Sequence, residues 1–153
     1  MKQGFVKVAS ATPRIRVADP VYNAQVICEQ AKEAAEHGAK IVVFPELCIT
    51  GYTCNDLFLQ ELLLEKAKEA LLTIVEETGQ LEALFLVGLP VDKDGRLYNV
   101  AAVLYRGRIL GMIPKKNIPM YAEFYEGRHF TPGEETVTEN RLGKQEIPFG
   151  TNL

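Results

Sequence analysis

The sequence predicts a mixed α/β fold, and three observations carry that expectation. Strand-like and helix-like segments alternate through the first half of the chain. Two continuous apolar runs, Ile41 to Phe44 and Ala83 to Leu89, have the character of strands buried on both faces. Tyr98 to Tyr105 and Ile109 to Ile113 then follow turn residues closely enough to form an antiparallel meander.

In chain order, Phe5 to Ser10 alternates apolar and polar residues and reads as the first strand, ended at Thr12-Pro13. Asp19-Pro20 is a helix start, with Asp as N-cap and Pro in the first turn. That helix carries Val21, Ala24, Ile27, Ala31, Ala34 and Ala35 toward the core and closes at Gly38. After the Ile41 to Phe44 strand, Pro45 breaks the chain. A second helix is expected from Asn55-Asp56 to about Thr78, with Leu59, Leu62, Leu63, Ala67, Leu71 and Ile74 among its apolar positions. Asp92 to Gly95 and Arg106-Gly107-Arg108 supply the turns of the meander. From Lys115 onward apolar periodicity fades. Thr131 to Lys144 reads as loop, and Ile147 to Phe149 as a short apolar stub.

Composition narrows the functional classes. The 153 residues are 47% hydrophobic and 24% charged, with 12 Gly, 8 Pro and no Trp, which suits one globular domain and excludes low-complexity disorder. Seventeen Lys and Arg against 20 Asp and Glu give a net charge of −3 without a basic stripe, which argues against a nucleic-acid partner. No run reaches membrane-span length, and Met1 to Gly4 leads into a strand rather than the apolar stretch of a secretory signal. Cys28, Cys48 and Cys54 are odd in number and lack a C-x-x-C pair, as expected of reduced thiols. These features predict a soluble, cytoplasmic protein.

Two residues stand where α/β sheets place ligands, just beyond the carboxyl ends of strands. Glu46 follows the Ile41 to Phe44 strand and Pro45. It reads either as a partly desolvated general base or as an acid that merely ends a strand in solvent. Lys115 follows Ile113-Pro114. It is suited to stabilise negative charge on a carbonyl oxygen, although Lys116 beside it also fits a solvated basic dipeptide. Glu123 and Glu126 add acids in one aromatic-rich loop. Cys28 reads as core, Cys48 lies near Glu46 in sequence, and Cys54 precedes a helix start that would favour a thiolate. Two His and three Cys form no metal-ligand spacing, and neither glycine-rich phosphate loop occurs.

The segment Phe44-Pro45-Glu46-Leu47-Cys48-Ile49-Thr50-Gly51-Tyr52 resembles the first catalytic motif of the nitrilase superfamily of carbon–nitrogen hydrolases. Pro114-Lys115, with Glu123 eight residues on, resembles its lysine motif and second glutamate. Gly4 to Ala9, Ala11 to Asp19, Glu46 to Asp56 and Tyr121 to Arg128 are similar, more narrowly, to the amino-terminal glutaminase domain of the glutamine-dependent NAD+ synthetase family. The resemblance implies a nitrilase-like α-β-β-α sandwich, incomplete in this chain, with residues 1–153 as the amino-terminal portion of the hydrolase domain. It implies Glu46 as general base, Lys115 as oxyanion-stabilising lysine and Glu123 as the acid orienting Lys115. Tyr52 and Tyr121 are implied to line a glutamine pocket.

The family's nucleophilic cysteine belongs to a later motif, expected beyond Leu153. The family's carboxy-terminal synthetase domain, which uses ATP and Mg2+ to amidate deamido-NAD+, is likewise not represented. The resemblance therefore implies a glutaminase half-reaction that needs no cofactor, and a chain inactive by itself. A truncated association module or a stand-alone amidase of the superfamily are the alternative expectations. A sheet stopped midway also predicts oligomerisation through its exposed edge and face.

Overall fold

Asp19 opens helix α1 (Pro20–Glu36) as the sequence predicts: its carboxylate accepts a hydrogen bond from the Tyr22 N–H at 3.1 Å, and Pro20 sits where a missing N–H costs nothing. Gly38, at φ +83°, turns the chain out of the helix. The computed structural model describes residues 4–143 and 145–153. Its strands are β1 (Val8–Ser10), β2 (Ile41–Val43), β3 (Leu84–Lys93), β4 (Arg96–Tyr105), β5 (Arg108–Pro114), β6 (Thr138–Leu142) and β7 (Gln145–Phe149). The second helix is α2 (Glu61–Glu77).

The strands form one sheet in the order β1-β2-β3-β4-β5-β7-β6. β1, β2 and β3 pair in parallel through the helical crossovers, and β3, β4 and β5 form the expected antiparallel meander. Both meander turns are two-residue reversals at positive φ, Asp94-Gly95 (54° and 73°) and Arg106-Gly107 (46° and 72°). That geometry matches the right-handed twist of the flanking strands.

Both helices cover one face of this sheet. Ile27 and Ala31 from α1, with Leu71 and Ile74 from α2, pack in one core with Phe85, Val87 and Leu89 of β3 and Ala102 and Leu104 of β4. The other face is open: Val8 and Val43 are 64% and 43% exposed, and Leu86, Val103 and Ile113 are half-buried. No helix of the described residues is long and apolar enough to cross a membrane.

Several expectations are corrected. The first strand is only Val8–Ser10, leaving Phe5 exposed. Val21 also faces water, while Asn23 is buried in its place and Cys28 lies in the core as expected. The second helix does not begin at Asn55: a 3-10 turn, Asn55–Leu59, comes first, and Gln60 is extended before α2 starts. Most of the segment read as loop, up to Gly143, includes β6, which pairs antiparallel with β7 from Thr138↔Phe149 to Leu142↔Gln145. β6 lies at the sheet edge, where polar side chains meet water, so its sequence lacks the apolar pattern of a central strand. Lys144 lies outside the described residues.

Candidate active site

β2 ends at Val43, and the Phe44 N–H still donates to the Leu86 carbonyl at 2.9 Å. Pro45 then stops the pairing and the chain folds into a tight loop. Leu47 adopts φ +52°, and its carbonyl accepts from the N–H groups of Thr50 and Gly51 at 3.1 and 2.7 Å. The turn points Glu46 toward the ends of β4 and β5. Lys115 follows β5, and its backbone N–H donates to the Asn99 carbonyl at 2.7 Å. Two residues 69 positions apart thus meet at one end of the sheet.

The side chains form one continuous network. The Lys115 Nζ donates to Glu46 Oε1 at 2.7 Å and reaches both carboxylate oxygens of Glu126 at 3.0 Å. Asn99, buried in β4, donates its Nδ2–H to the same Glu46 Oε1. Tyr52 donates its hydroxyl to Glu126 Oε1 at 2.7 Å. Among the described residues no hydrogen bond engages Glu46 Oε2. An ammonium has three protons. One goes to Glu46 and one is shared by the two oxygens of Glu126, which leaves a third for a ligand. The arrangement therefore holds an accepting oxygen and a cationic donor side by side, the pair that acyl transfer requires.

Glu126, not Glu123, is the acid that meets the ammonium. Glu126 lies in a 3-10 turn, Glu126–Arg128, and is only 7% exposed. Arg128 and His129 tie that turn to Asp56 at 3.0 and 3.2 Å. Glu123 sits exposed on the preceding loop and lines a 230 Å³ cavity with Tyr52 and Glu126. Tyr121 is 69% exposed and packs edge-on against Phe124, with ring centroids 5.7 Å apart. A larger cavity of 680 Å³ opens from Glu46, Asn99 and Lys115 along the uncovered sheet face, walled by Leu86, Ala101 and Ile113.

Burial alone would lower the affinity of Lys115 for its proton. The hydrogen bonds and charges of Glu46 and Glu126 outweigh it, so the ammonium titrates above the ordinary lysine value. Burial, reinforced by the Glu126 hydrogen bond and charge, likewise raises the Tyr52 phenol. Both groups hold protons more tightly folded than unfolded. Their stabilisation is complete below the unfolded values, near pH 10, and is lost as pH rises beyond them. Chemical denaturation is expected to show stability falling above about pH 10, and falling less steeply in Glu126→Gln. Equal slopes would contradict the coupling of these groups.

The three thiols do not belong to this network. Cys28 is pushed up to about 11 and Cys48 to about 12, chiefly by burial, and Cys54 is raised for the same reason. Cys48 points its Sγ at the Gly88 carbonyl at 3.6 Å, and Cys54 donates to the Thr50 carbonyl at 3.1 Å. The expected thiolate at Cys54 is thus not favoured: the following 3-10 turn is short, and desolvation dominates. Among the described residues no group of three or more His, Cys, Asp or Glu side chains converges as a metal site requires.

Asn99 is missed in the sequence, because its partner is not visible from its own strand. It is one polar residue within an apolar strand, and only the strand register brings it to Glu46. Such a residue in a buried run is the one available cue, since buried amides need partners.

Comparison with known proteins extends these observations. The family model for carbon-nitrogen hydrolase matches residues 7–151. The chain is 40% identical over 152 residues to a glutamine-dependent NAD(+) synthetase of Mycobacterium tuberculosis, covering 99% of this chain and 22% of that protein. It is 36% identical to the synthetase of Thermotoga maritima, covering 90% of this chain and 23% of that protein. The crystal structure of a glutamine-dependent NAD(+) synthetase from Cytophaga hutchinsonii superposes with a TM-score of 0.89 at 29% identity, over 95% of this chain and 25% of that one. An amidase from Nesterenkonia sp. shares the fold, with a TM-score of 0.69 at 23% identity over 94% of this chain and 54% of the amidase. The chain spans about a fifth of the length of the curated relatives named here.

Proposed function

The chain belongs to the carbon-nitrogen hydrolase family, and from that premise we propose that it supplies the general base and the cationic pocket of an amide-cleaving site in a glutamine-dependent NAD+ synthetase. The observation that carries this reading is the arrangement of Glu46, Lys115 and Glu126, with one carboxylate oxygen and one ammonium proton left for a ligand.

In this reading a thiol attacks the side-chain carbonyl of glutamine. Glu46 Oε2 takes the thiol proton and delivers it to the leaving amide nitrogen, so that ammonia departs and a thioester remains. Water then attacks the thioester with Glu46 as base, releasing glutamate and returning the proton to the thiol. Lys115 donates its third N–H to the oxyanion in both steps, and Glu126 holds the ammonium in place. Tyr52 fixes Glu126, and Tyr121 with Glu123 belongs to the substrate entrance.

The burial of Cys28, Cys48 and Cys54 supports a nucleophile supplied from outside this stretch, so the stretch alone is inactive. The ammonia would amidate deamido-NAD+ in the remainder of the parent protein. In this reading the ATP- and Mg2+-dependent amidation belongs to that remainder. The open sheet face is where a second sheet would complete a four-layer sandwich. Self-association of the isolated stretch would use the same face.

Glutamate release from glutamine tests the proposal. It compares this chain with a chimera that continues into the corresponding region of the Mycobacterium tuberculosis relative. Activity in the chimera alone is the expected result. Activity in the short chain that is lost in Cys48→Ala or Cys54→Ala would overturn it.

A further inference from the structure

Glu46 sits on a loop, yet its carboxylate stays within hydrogen-bond reach of Asn99 on β4 and of Lys115 just beyond β5. Loops rarely hold a side chain so closely unless their backbone is fixed from both sides. Two residues outside the network provide that fixation.

The first is Gly88, in the middle of β3 and on the same sheet face as the site. The Pro45–Gly51 loop lies directly on it. A Cβ at this position would stand 2.6 Å from the Pro45 carbonyl oxygen and 2.9 Å from the Glu46 carbonyl carbon, and nearer still to the Leu47 nitrogen. These are backbone atoms, so no side-chain rotation relieves the overlap. Glycine inside a strand is otherwise unfavourable, and close approach of another backbone is a usual reason for it. The Gly88 carbonyl also accepts from the Ile49 N–H at 3.1 Å.

The second is Asn23, on α1, with no exposed surface at all. Its Nδ2 donates to the Ile49 carbonyl at 2.9 Å and to the Arg16 carbonyl at 2.7 Å, while its Oδ1 accepts from the Arg16 N–H at 2.7 Å. Ile49 is thus gripped at both its N–H and its carbonyl. Next to it, the Ala18 N–H donates to the Thr50 carbonyl at 2.7 Å.

We propose that Gly88 and Asn23 are positioning residues for Glu46: they touch no reacting group but clamp its loop between β3 and α1, and so set its reach to Lys115. The catalytic meaning of the clamp rests on the reading of Glu46 as base, but its geometry does not.

The test reads the Glu46–Lys115 contact without any hydrolysis assay. Lys115 is trace-acetylated with acetic anhydride at pH 8, and its rate is measured by mass spectrometry against a free lysine standard. Only the unprotonated amine reacts, so losing one carboxylate partner accelerates labelling. Glu46→Gln sets the scale, expected at roughly three- to tenfold. Gly88→Ala and Asn23→Ala are each expected to accelerate labelling by about threefold or more. Ile27→Ala, a cavity in the same helix as Asn23, is expected to lower stability without changing the rate.

Folded Gly88→Ala and Asn23→Ala proteins with wild-type rates, alongside an accelerated Glu46→Gln, would overturn the clamp and leave the site reading intact. An unchanged rate in Glu46→Gln would instead contradict the site itself. Should both clamp variants fail to fold, amide exchange of Ile49 in the unaltered chain decides. Exchange as slow as that of the β3 core supports the clamp, and exchange at loop rates refutes it.

Discussion

Glu46→Gln, introduced into the chimera, is expected to lower kcat/KM for glutamine hydrolysis by on the order of a thousandfold. The substitution conserves volume and keeps an oxygen for Lys115 and Asn99 to approach, so the network's shape survives. It removes only the capacity to accept a proton. Glu46 Oε1 already holds two donors, so the proposed mechanism uses Oε2 to relay the thiol proton to nitrogen. A loss below about tenfold would assign the base to another group.

Lys115→Ala is expected to act on two quantities at once. Removing the ammonium takes away the proposed oxyanion donor, worth about 10²- to 10³-fold in kcat. It also leaves the Glu126 carboxylate, 7% exposed, with only the Tyr52 hydroxyl as partner among the described residues. Breaking a buried ion pair from one side costs about 3–5 kcal/mol. The partial exposure of Lys115 puts this case at the lower end, so Tm should fall by about 6–12 °C at this chain length. The double variant Lys115→Ala with Glu126→Gln is expected to recover much of the Tm and none of the activity. If the single variant is as stable as the unaltered chain, the pair is not a buried one in solution.

The pattern of what could be read in the sequence follows from what each signal depends on. Asp19-Pro20, the apolar runs of β2 and β3 and the two reversals at Asp94-Gly95 and Arg106-Gly107 are local effects of capping, burial and turn chemistry. They are legible without tertiary information. Glu46 and Lys115 stand out in the sequence because each follows the end of a strand, and the structure brings the two side chains together. β6 does not stand out, because an edge strand shows water a polar face. The start of α2 was misplaced because Gln60 is extended between two segments whose apolar spacing runs on as if uninterrupted.

The choice between Glu123 and Glu126 depends on which acid a 3-10 turn rotates inward. Two glutamates three residues apart do not reveal that. Asn99, Gly88 and Asn23 are further from local signals still. Asn99 reaches Glu46 only through the β3–β4 register, and Gly88 matters only because another backbone crosses it. Asn23 fills what looks like an ordinary polar slot on an amphipathic helix. Its role appears once Arg16 and Ile49 are seen to converge on it.

The central claim is that this chain holds the base and the cation of an amide-cleaving site but not its nucleophile. The most direct measurement is to trap the acyl-transfer thiol with an electrophilic glutamine analogue and locate the modified cysteine by mass spectrometry. The account predicts no modification of Cys28, Cys48 or Cys54 in this chain. It predicts one modified cysteine in the appended region of the chimera, with labelling suppressed by Glu46→Gln. Rapid, glutamine-protected modification of Cys48 or Cys54 would contradict it.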